Sequence, residues 1–416
     1  MMRQIREKIS AVLCLFFLVM NLFSDRGYVV RADTSGKPEL TGLYAYAYCL
    51  MDADSGRVLV QKHGNERLAM ASTTKIMTLI VVLENTSPDE VVTVSSNAAA
   101  QPDVQLNICT EEKYRVGDLV YSLMLESHND VAVALAEHVG GSVEGFAVLM
   151  NAKAAELGLT DTSFVTSNGL DAEGHHTTAV ELAKITAYAI QNEQFLKIIG
   201  TTSYQFNEVN SGRSFMVKNK NRFLYMMDGA IGVKTGFTGK AGYCFVGALD
   251  RGHHKLISVV LASGWPPHKE YKWRDTVKLM EYGLGNYRKR TIYDRAVIMI
   301  NHERYMGTIS EYDADKIIPK EIPVNGGIKE SVAVGMEKTL SGMPEILIGE
   351  WEQPCIEVEY DTVITAPVSA GQMVGFLTVQ IGDEVIAELP ICTLESVSCP
   401  DYPYCLYKLF LRWLNL

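Results

Sequence analysis

Between about residues 40 and 290, short strand-like runs mix with longer segments of helical spacing. Residues 43–52 and 57–61 read as strands, and Asp54-Ser55-Gly56 between them is a hairpin signal. Residues 72–84 are apolar all round after the first turn, which predicts a buried central helix. Residues 117–125, 130–138, 143–156 and 181–191 continue at helical spacing, with Gly158 just past the end of the third. Residues 244–249 and 255–262 are apolar strands joined by a turn at Gly252, and 273–282 returns to a helix.

From about 292 to 392 the pattern is strands only. Residues 374–381 and 384–391 flank Gly382-Asp383, a second hairpin, and Val385, Ala387, Leu389 and Ile391 alternate onto one face. Arg288-Lys289-Arg290 reads as a solvated linker at the boundary. At the C-terminus, Leu406, Leu409, Phe410, Trp413 and Leu414 share one helical face, with Lys408 and Arg412 on another. That is the composition of a helix lying in a lipid interface; a terminal helix docked on its own domain is the alternative. At the other end, Arg3, Arg6 and Lys8 precede an uncharged apolar run at 11–23, and Val30-Arg31-Ala32 fits the small-residue cleavage rule. The expected organisation is a signal peptide at 1–32, a mixed domain at 33–291, an all-β domain at 292–395 and an amphipathic tail at 396–416.

The 416 residues are 47% apolar and 21% charged, which excludes a disordered chain. The net charge is −11, and −14 once residues 1–32 are removed. An acidic surface repels phosphate backbones, so a nucleic-acid role is disfavoured. No run of 18 apolar residues follows the first 30 positions, which excludes a multi-span membrane protein. Seven cysteines remain after cleavage, too scattered for a disulfide framework; Cys49 and Cys244 read as buried, and Cys399 and Cys405 lack partner ligands for zinc. The adjacent pairs His175-His176 and His253-His254 lack the spacing of metal ligands, and no phosphate-loop string occurs. No metal and no cofactor are expected.

Three short motifs carry chemistry. In Ser72-Thr73-Thr74-Lys75, Lys75 lies one helical turn after Ser72 and on the same face. A hydroxyl, an adjacent base and free N–H groups at a helix start are the parts an acyl-transfer nucleophile requires. Ser72 as a mere cap would not explain an ammonium one turn into an apolar helix. Ser127-His128-Asn129 offers a hydroxyl to relay a proton and an amide to fix a lysine and a substrate carbonyl. Lys234-Thr235-Gly236, at the start of an edge strand, can hold a carboxylate while glycine admits a ligand close to the backbone.

In this order the three resemble the motif set of penicillin-binding proteins and class A β-lactamases, with His128 in place of an Asp. The surrounding runs MDADSGRVLVQKHGNERLAMASTTKIMT, LMLESHNDVAVALAEHVGG, SNGLDAEGHHTT and GVKTGFTGKAGYCFVGA resemble the low-molecular-weight penicillin-binding proteins, serine-type D-alanyl-D-alanine carboxypeptidases. APVSAGQMVGFLTVQIGDEVIAELPI is similar to that family's second domain. The resemblance implies an α+β, serine β-lactamase/transpeptidase-like domain, an antiparallel sheet with helices on both faces plus an all-helical part. A small all-β domain and a C-terminal amphipathic helix would follow. It implies Ser72 as the acylated nucleophile, Lys75 as its proton acceptor, Ser127 as relay and Asn129 as the group orienting Lys75 and the substrate amide. Lys234 and Thr235 would bind the terminal carboxylate beside Gly236, and the Ser72 and Phe237 amides would form the oxyanion hole. His128 and Phe237 depart from the family's usual residues and are expected to alter the rim; Lys272 and Arg274 both lie near the place of a family arginine.

The implied substrate is a peptidoglycan stem peptide ending in D-Ala-D-Ala. β-Lactams would be inhibitors, and the site would lie at the outer face of the cytoplasmic membrane, anchored by the terminal helix. A serine β-lactamase, using Glu173 or Glu181 for deacylation, and a non-catalytic β-lactam sensor are the alternatives. To accept a proton Lys75 must lose about three pKa units, roughly 4 kcal/mol of differential interaction.

Overall fold

The computed structural model describes residues 36–305, 317–337 and 343–414. The expected signal segment lies outside them. The described residues divide into two compact units, 37–291 with 344–350, and the remainder from 292 onward with residue 36.

The first unit is built on a five-stranded antiparallel sheet. Its strands are β1 (Ala47–Asp52), β2 (Val58–Lys62), β3 (Ala230–Thr238), β4 (Gly242–Asp250) and β5 (Lys255–Leu261), in the spatial order β2-β1-β5-β4-β3. The expected first hairpin is present, Leu50 pairing with Val60. Cys49 and Met51 of β1 face the main core, whereas Leu50 meets Gly283 on the opposite side, as strand alternation requires. The helices are α1 (Lys75–Asn85), α2 (Val116–Leu125), α3 (Asn129–Gly140), α4 (Val143–Glu156), α5 (Ala179–Ala189), α6 (Glu193–Gly200) and α7 (Tyr271–Asn286). α5 lies against β1 and β5, α7 against β4 and β5, and α1 packs among α2, α3, α4 and α5. The residues of α1 from Lys75 to Val82 are all buried, so its unbroken apolar sequence follows from its central place.

Several expectations are corrected. Ser72 does not open the α-helix; it lies in a 3₁₀ turn, Ala71–Thr74, and α1 begins at Lys75. The cause is local: the Thr73 hydroxyl donates to the Met70 carbonyl (2.6 Å) and Thr74 to that of Ala71 (2.8 Å), which tightens the turn. Lys234 does not begin its strand, since β3 starts at Ala230 and ends at Thr238, and the Cys244 run returns as β4. Arg288-Lys289-Arg290 is no linker: Tyr287–Arg290 is a strand paired antiparallel with Ile346–Gly349. Lys289 pairs with Asp54 and Arg290 with Glu350, so these charges hold neighbours within the unit.

The second unit carries an eight-stranded sheet whose centre is the hairpin of Met373–Ile381 and Glu384–Thr393. The alternation expected over 385–391 breaks at a bulge: Val379 pairs with Ala387 but Gln380 with Val385, leaving Val385 58% exposed. Residues Tyr402–Trp413 form a helix capped by Asp401, whose carboxylate accepts from the Tyr404 amide (2.9 Å). Among the described residues no single helix is long and apolar enough to cross a membrane.

The entry into β1 hangs on one carboxylate. Asp275, buried in α7, accepts from the Tyr44 amide (3.0 Å), the Ala45 amide (2.7 Å) and the Ser263 hydroxyl (2.7 Å). Asp275→Ala strands these donors, and we expect a loss of about 3 kcal/mol for the first unit, read as a lowered urea midpoint. A midpoint equal to that of the wild type would contradict this.

Candidate active site

The reacting geometry begins with a strained backbone. Ala71 has φ 49°, a left-handed conformation unfavourable to a residue with a Cβ. The surroundings press on this turn from two sides. A Cβ added to Gly169, itself at φ 84°, would fall 2.1 Å from the Ala71 carbonyl oxygen; one added to Gly236 of β3 would lie 3.0 Å from the Ser72 amide nitrogen. Glycine at both places therefore lets a loop and the edge strand close on the turn that carries Ser72.

In a 3₁₀ turn the side chains of residues i and i+3 eclipse, and Lys75 Nζ lies 3.0 Å from Ser72 Oγ. Nζ also donates to Asn129 Oδ1 (2.8 Å) and to the Asn168 carbonyl (2.6 Å). The Asn129 amide is oriented by its Nδ2, which donates to the Pro102 carbonyl (3.1 Å). Lys75 is fully buried and makes no ion pair with any described residue. Burial pushes its ammonium well below the usual range, and the Lys234 charge pushes the same way against a smaller opposing pull from Asp130. Two donor protons on a neutral amine satisfy the two carbonyl oxygens, and the lone pair remains for the Ser72 hydroxyl.

Ser127 is in a left-handed turn (φ 73°) before α3, and its hydroxyl is buried with no hydrogen-bond partner among the described residues. Asp130 accepts from the amides of Leu106, Asn107 and Ile108, tying down the loop that faces Asn129. Lys234 is buried on β3, lowered to about 7 by that burial, and donates to the Thr235 carbonyl (3.0 Å). Thr235 is half-buried; Phe237 is exposed at the rim and packs on Tyr243 (4.6 Å). Hydrogen bonds thus bring Ser72, Lys75 and Asn129 together, and Gly236 brings β3 against them. His128 does not reach the rim: its buried Nδ1 is 2.7 Å from the Ser122 hydroxyl, inside the helical part. Lys272 lies over the Tyr243 ring (4.5 Å) and Arg274 over Tyr44 (5.1 Å).

Three further groups hold the turn. The Asn168 carbonyl accepts from Lys75 and lies 3.3 Å from the Ser72 hydroxyl oxygen, and the Asn168 side chain donates to Gln101 (3.1 Å). Gly169 approaches the Ala71 carbonyl where a Cβ would not fit. His175 Nδ1 accepts from the Val165 amide (3.0 Å), so its Nε2–H donates to the Thr74 hydroxyl (2.9 Å), which donates in turn to the Ala71 carbonyl. Burial lowers His175 to about 4 and keeps it neutral in this chain of bonds. The sequence signal for these residues was the run SNGLDAEGHHTT, but a backbone carbonyl leaves no side-chain signature. Glu181 is committed to Thr160, Asp161 and Thr162, and Glu173 is exposed; neither bonds to Ser72 or Lys75. Among the described residues the cluster His302, Glu357 and Glu359 could approach a metal ion, but it belongs to the second unit and is largely exposed.

Residues 33–264 match the peptidase S11 family, D-alanyl-D-alanine carboxypeptidase, and residues 307–398 match the penicillin-binding protein 5 C-terminal domain. The D-alanyl-D-alanine carboxypeptidase DacF of Bacillus subtilis is 30% identical over 354 residues, 84% of this chain and 85% of the relative. DacC of Escherichia coli is 30% identical over 381 residues, 86% of each chain. Among solved structures, penicillin-binding protein 5 from Haemophilus influenzae superposes with a TM-score of 0.65 at 26% identity, covering 87% of this chain and 99% of that one. The Streptomyces K15 DD-transpeptidase does so with 0.57 at 33% identity over 60% of this chain and all of its own. On the extent of these matches, the chain belongs to the serine D-alanyl-D-alanine carboxypeptidases of peptidase family S11, of the penicillin-binding protein type.

Proposed function

We propose that Ser72 is the acylated nucleophile, Lys75 its base, and Asn129, Ser127, Lys234 and Thr235 the groups that position the reaction. The observation carrying this is the buried Lys75 amine, held between the Ser72 hydroxyl and two carbonyl oxygens with no ion-pair partner among the described residues. The Ser72 proton passes to Lys75 as Oγ attacks the carbonyl of the penultimate D-alanine. The oxyanion is held by the Ser72 and Phe237 amides. The peptide C–N bond then breaks, and the terminal D-alanine leaves with a proton relayed through Ser127. Water, deprotonated by Lys75, cleaves the ester and frees the shortened peptide. Lys234 and Thr235 hold the terminal carboxylate, and a β-lactam enters by the same first step. Residues 37–291 with 344–350 supply this chemistry.

The activity is exported to the outer face of the cytoplasmic membrane in this reading, with 1–32 as the signal. The C-terminal helix lies on the lipid surface. Support comes from its unburied apolar face, on which Leu409, Phe410 and Trp413 are exposed, Trp413 by 78%.

Lys75→Arg should stay folded but lose acylation by labelled penicillin by at least a thousandfold, because guanidinium does not deprotonate; normal labelling would remove Lys75 from the role. The kcat/KM for peptide should rise with pH as Lys75 becomes neutral, then fall above about 7 as free Lys234 loses the charge that holds the carboxylate. A substrate with that carboxylate esterified should lose only the alkaline limb, and identical profiles would contradict the role of Lys234. Deleting residues 402–416 should move the protein to the soluble fraction; continued pelleting would contradict anchoring by this helix.

A further inference from the structure

Past the end of β3 the first unit carries an open groove of about 530 Å³ that the proposed chemistry does not use. Its walls are Tyr44, Tyr46, Trp265 and Tyr271, and Lys62 and Lys240 stand on its lining. The walls are fixed rather than loose. Tyr44 stacks on Tyr271 (3.7 Å), and the Tyr46 ring stacks on His63 (4.7 Å) while its hydroxyl donates to Glu66 (2.8 Å). Trp265 donates to the Gly239 carbonyl (2.8 Å). Three of these rings nonetheless remain open to solvent, Tyr44 by 43%, Tyr46 by 47% and Trp265 by 44%. Lys62 and Lys240 are exposed and make no ion pair among the described residues, whereas the nearby Glu66 is already engaged by Tyr46 and His63. The groove is therefore apolar along its walls and cationic in its unspent charge.

Its position gives the occupant. Resting on the proposed function, the terminal carboxylate sits at Lys234 and Thr235 and the scissile carbonyl at the Phe237 amide. These two points define a direction along β3, from residue 234 toward Thr238. The part of the substrate upstream of the scissile bond continues in that direction, over the turn 239–241 that lines the groove. At about 3.3 Å per residue, an extended peptide reaches this turn two or three residues before the scissile bond.

We propose that this groove is the subsite for the upstream part of the stem peptide, an acidic peptide segment. Lys62 and Lys240 pair with its free carboxylate, and the aromatic walls cover its aliphatic stems. The recognition selects among peptides that share the same D-Ala-D-Ala end, and it acts through binding, remote from the bond that breaks.

Two pentapeptides that differ in one group test this: N-acetyl-L-Ala-γ-D-Glu-L-Lys(Nε-acetyl)-D-Ala-D-Ala with the glutamate α-carboxyl free, and the same peptide with it amidated. The wild-type protein should favour the free acid about tenfold in kcat/KM, mainly through KM, and the preference should shrink in high salt. In the double variant Lys62→Gln, Lys240→Gln the ratio of the two kcat/KM values should fall to within twofold of one. A wild-type ratio already near one, or a double variant that keeps the wild-type ratio, overturns the subsite while leaving the carboxypeptidase reading intact. Failure of the wild-type protein to release D-alanine from either peptide, with penicillin acylation preserved, overturns that reading and the subsite with it.

Discussion

A buried amine with no ion pair to a carboxylate among the described residues is the constraint on which this protein depends. Lys75 is surrounded by the apolar first turns of α1, by two carbonyl oxygens and by one hydroxyl. A charged ammonium there is disfavoured by desolvation and again by the neighbouring Lys234. The neutral amine satisfies every polar neighbour and leaves its lone pair for Ser72. The same burial that makes α1 a central structural helix thus lowers the pKa of its first residue, as the proposed role of a base requires. A carboxylate partner would give a more ordinary buried lysine and a worse proton acceptor.

Holding that amine against a hydroxyl requires the chain to turn more tightly than an α-helix. Threonine hydroxyls bonded back to Met70 and Ala71 make the 3₁₀ turn, and the left-handed Ala71 starts it. Gly169 and Gly236 allow the neighbouring loop and strand to press on it, and the His175–Thr74 bond fixes the Ala71 carbonyl from behind. Strain of this kind persists only where the surroundings over-determine it. Here a glycine loop, an edge strand and a neutral histidine do so together.

Much of this was legible in the sequence, and what escaped has a common physical reason. The first hairpin, the helices from residue 116 to 156 and the hairpin at Gly382-Asp383 follow directly from hydrophobic period and turn residues. The Ser72–Lys75 spacing placed both groups on one face, which the structure realises through a different helix type. The Arg288–Arg290 strand escaped because its stabilising partner, Ile346–Gly349, is some sixty residues away, and three basic residues resemble a solvated segment. Val385 left its predicted face because a single bulge residue inverts the alternation. Asn168 escaped because it acts through its backbone carbonyl, and His128, expected at the rim, turned inward because Ser122 offered a buried partner. Pairings at long range, backbone groups and side-chain direction are the properties that a linear pattern carries least.

The most direct measurement is the ionisation of Lys75 itself. In protein labelled with 13Cε-lysine, the Lys75 resonance can be assigned by its loss in Lys75→Arg and followed against pH. This one lysine should already be neutral at pH 7.5, with a transition well below that of the exposed lysines. A Lys75 signal that stays charged and titrates with them, at about 10, would remove the neutral amine from this site.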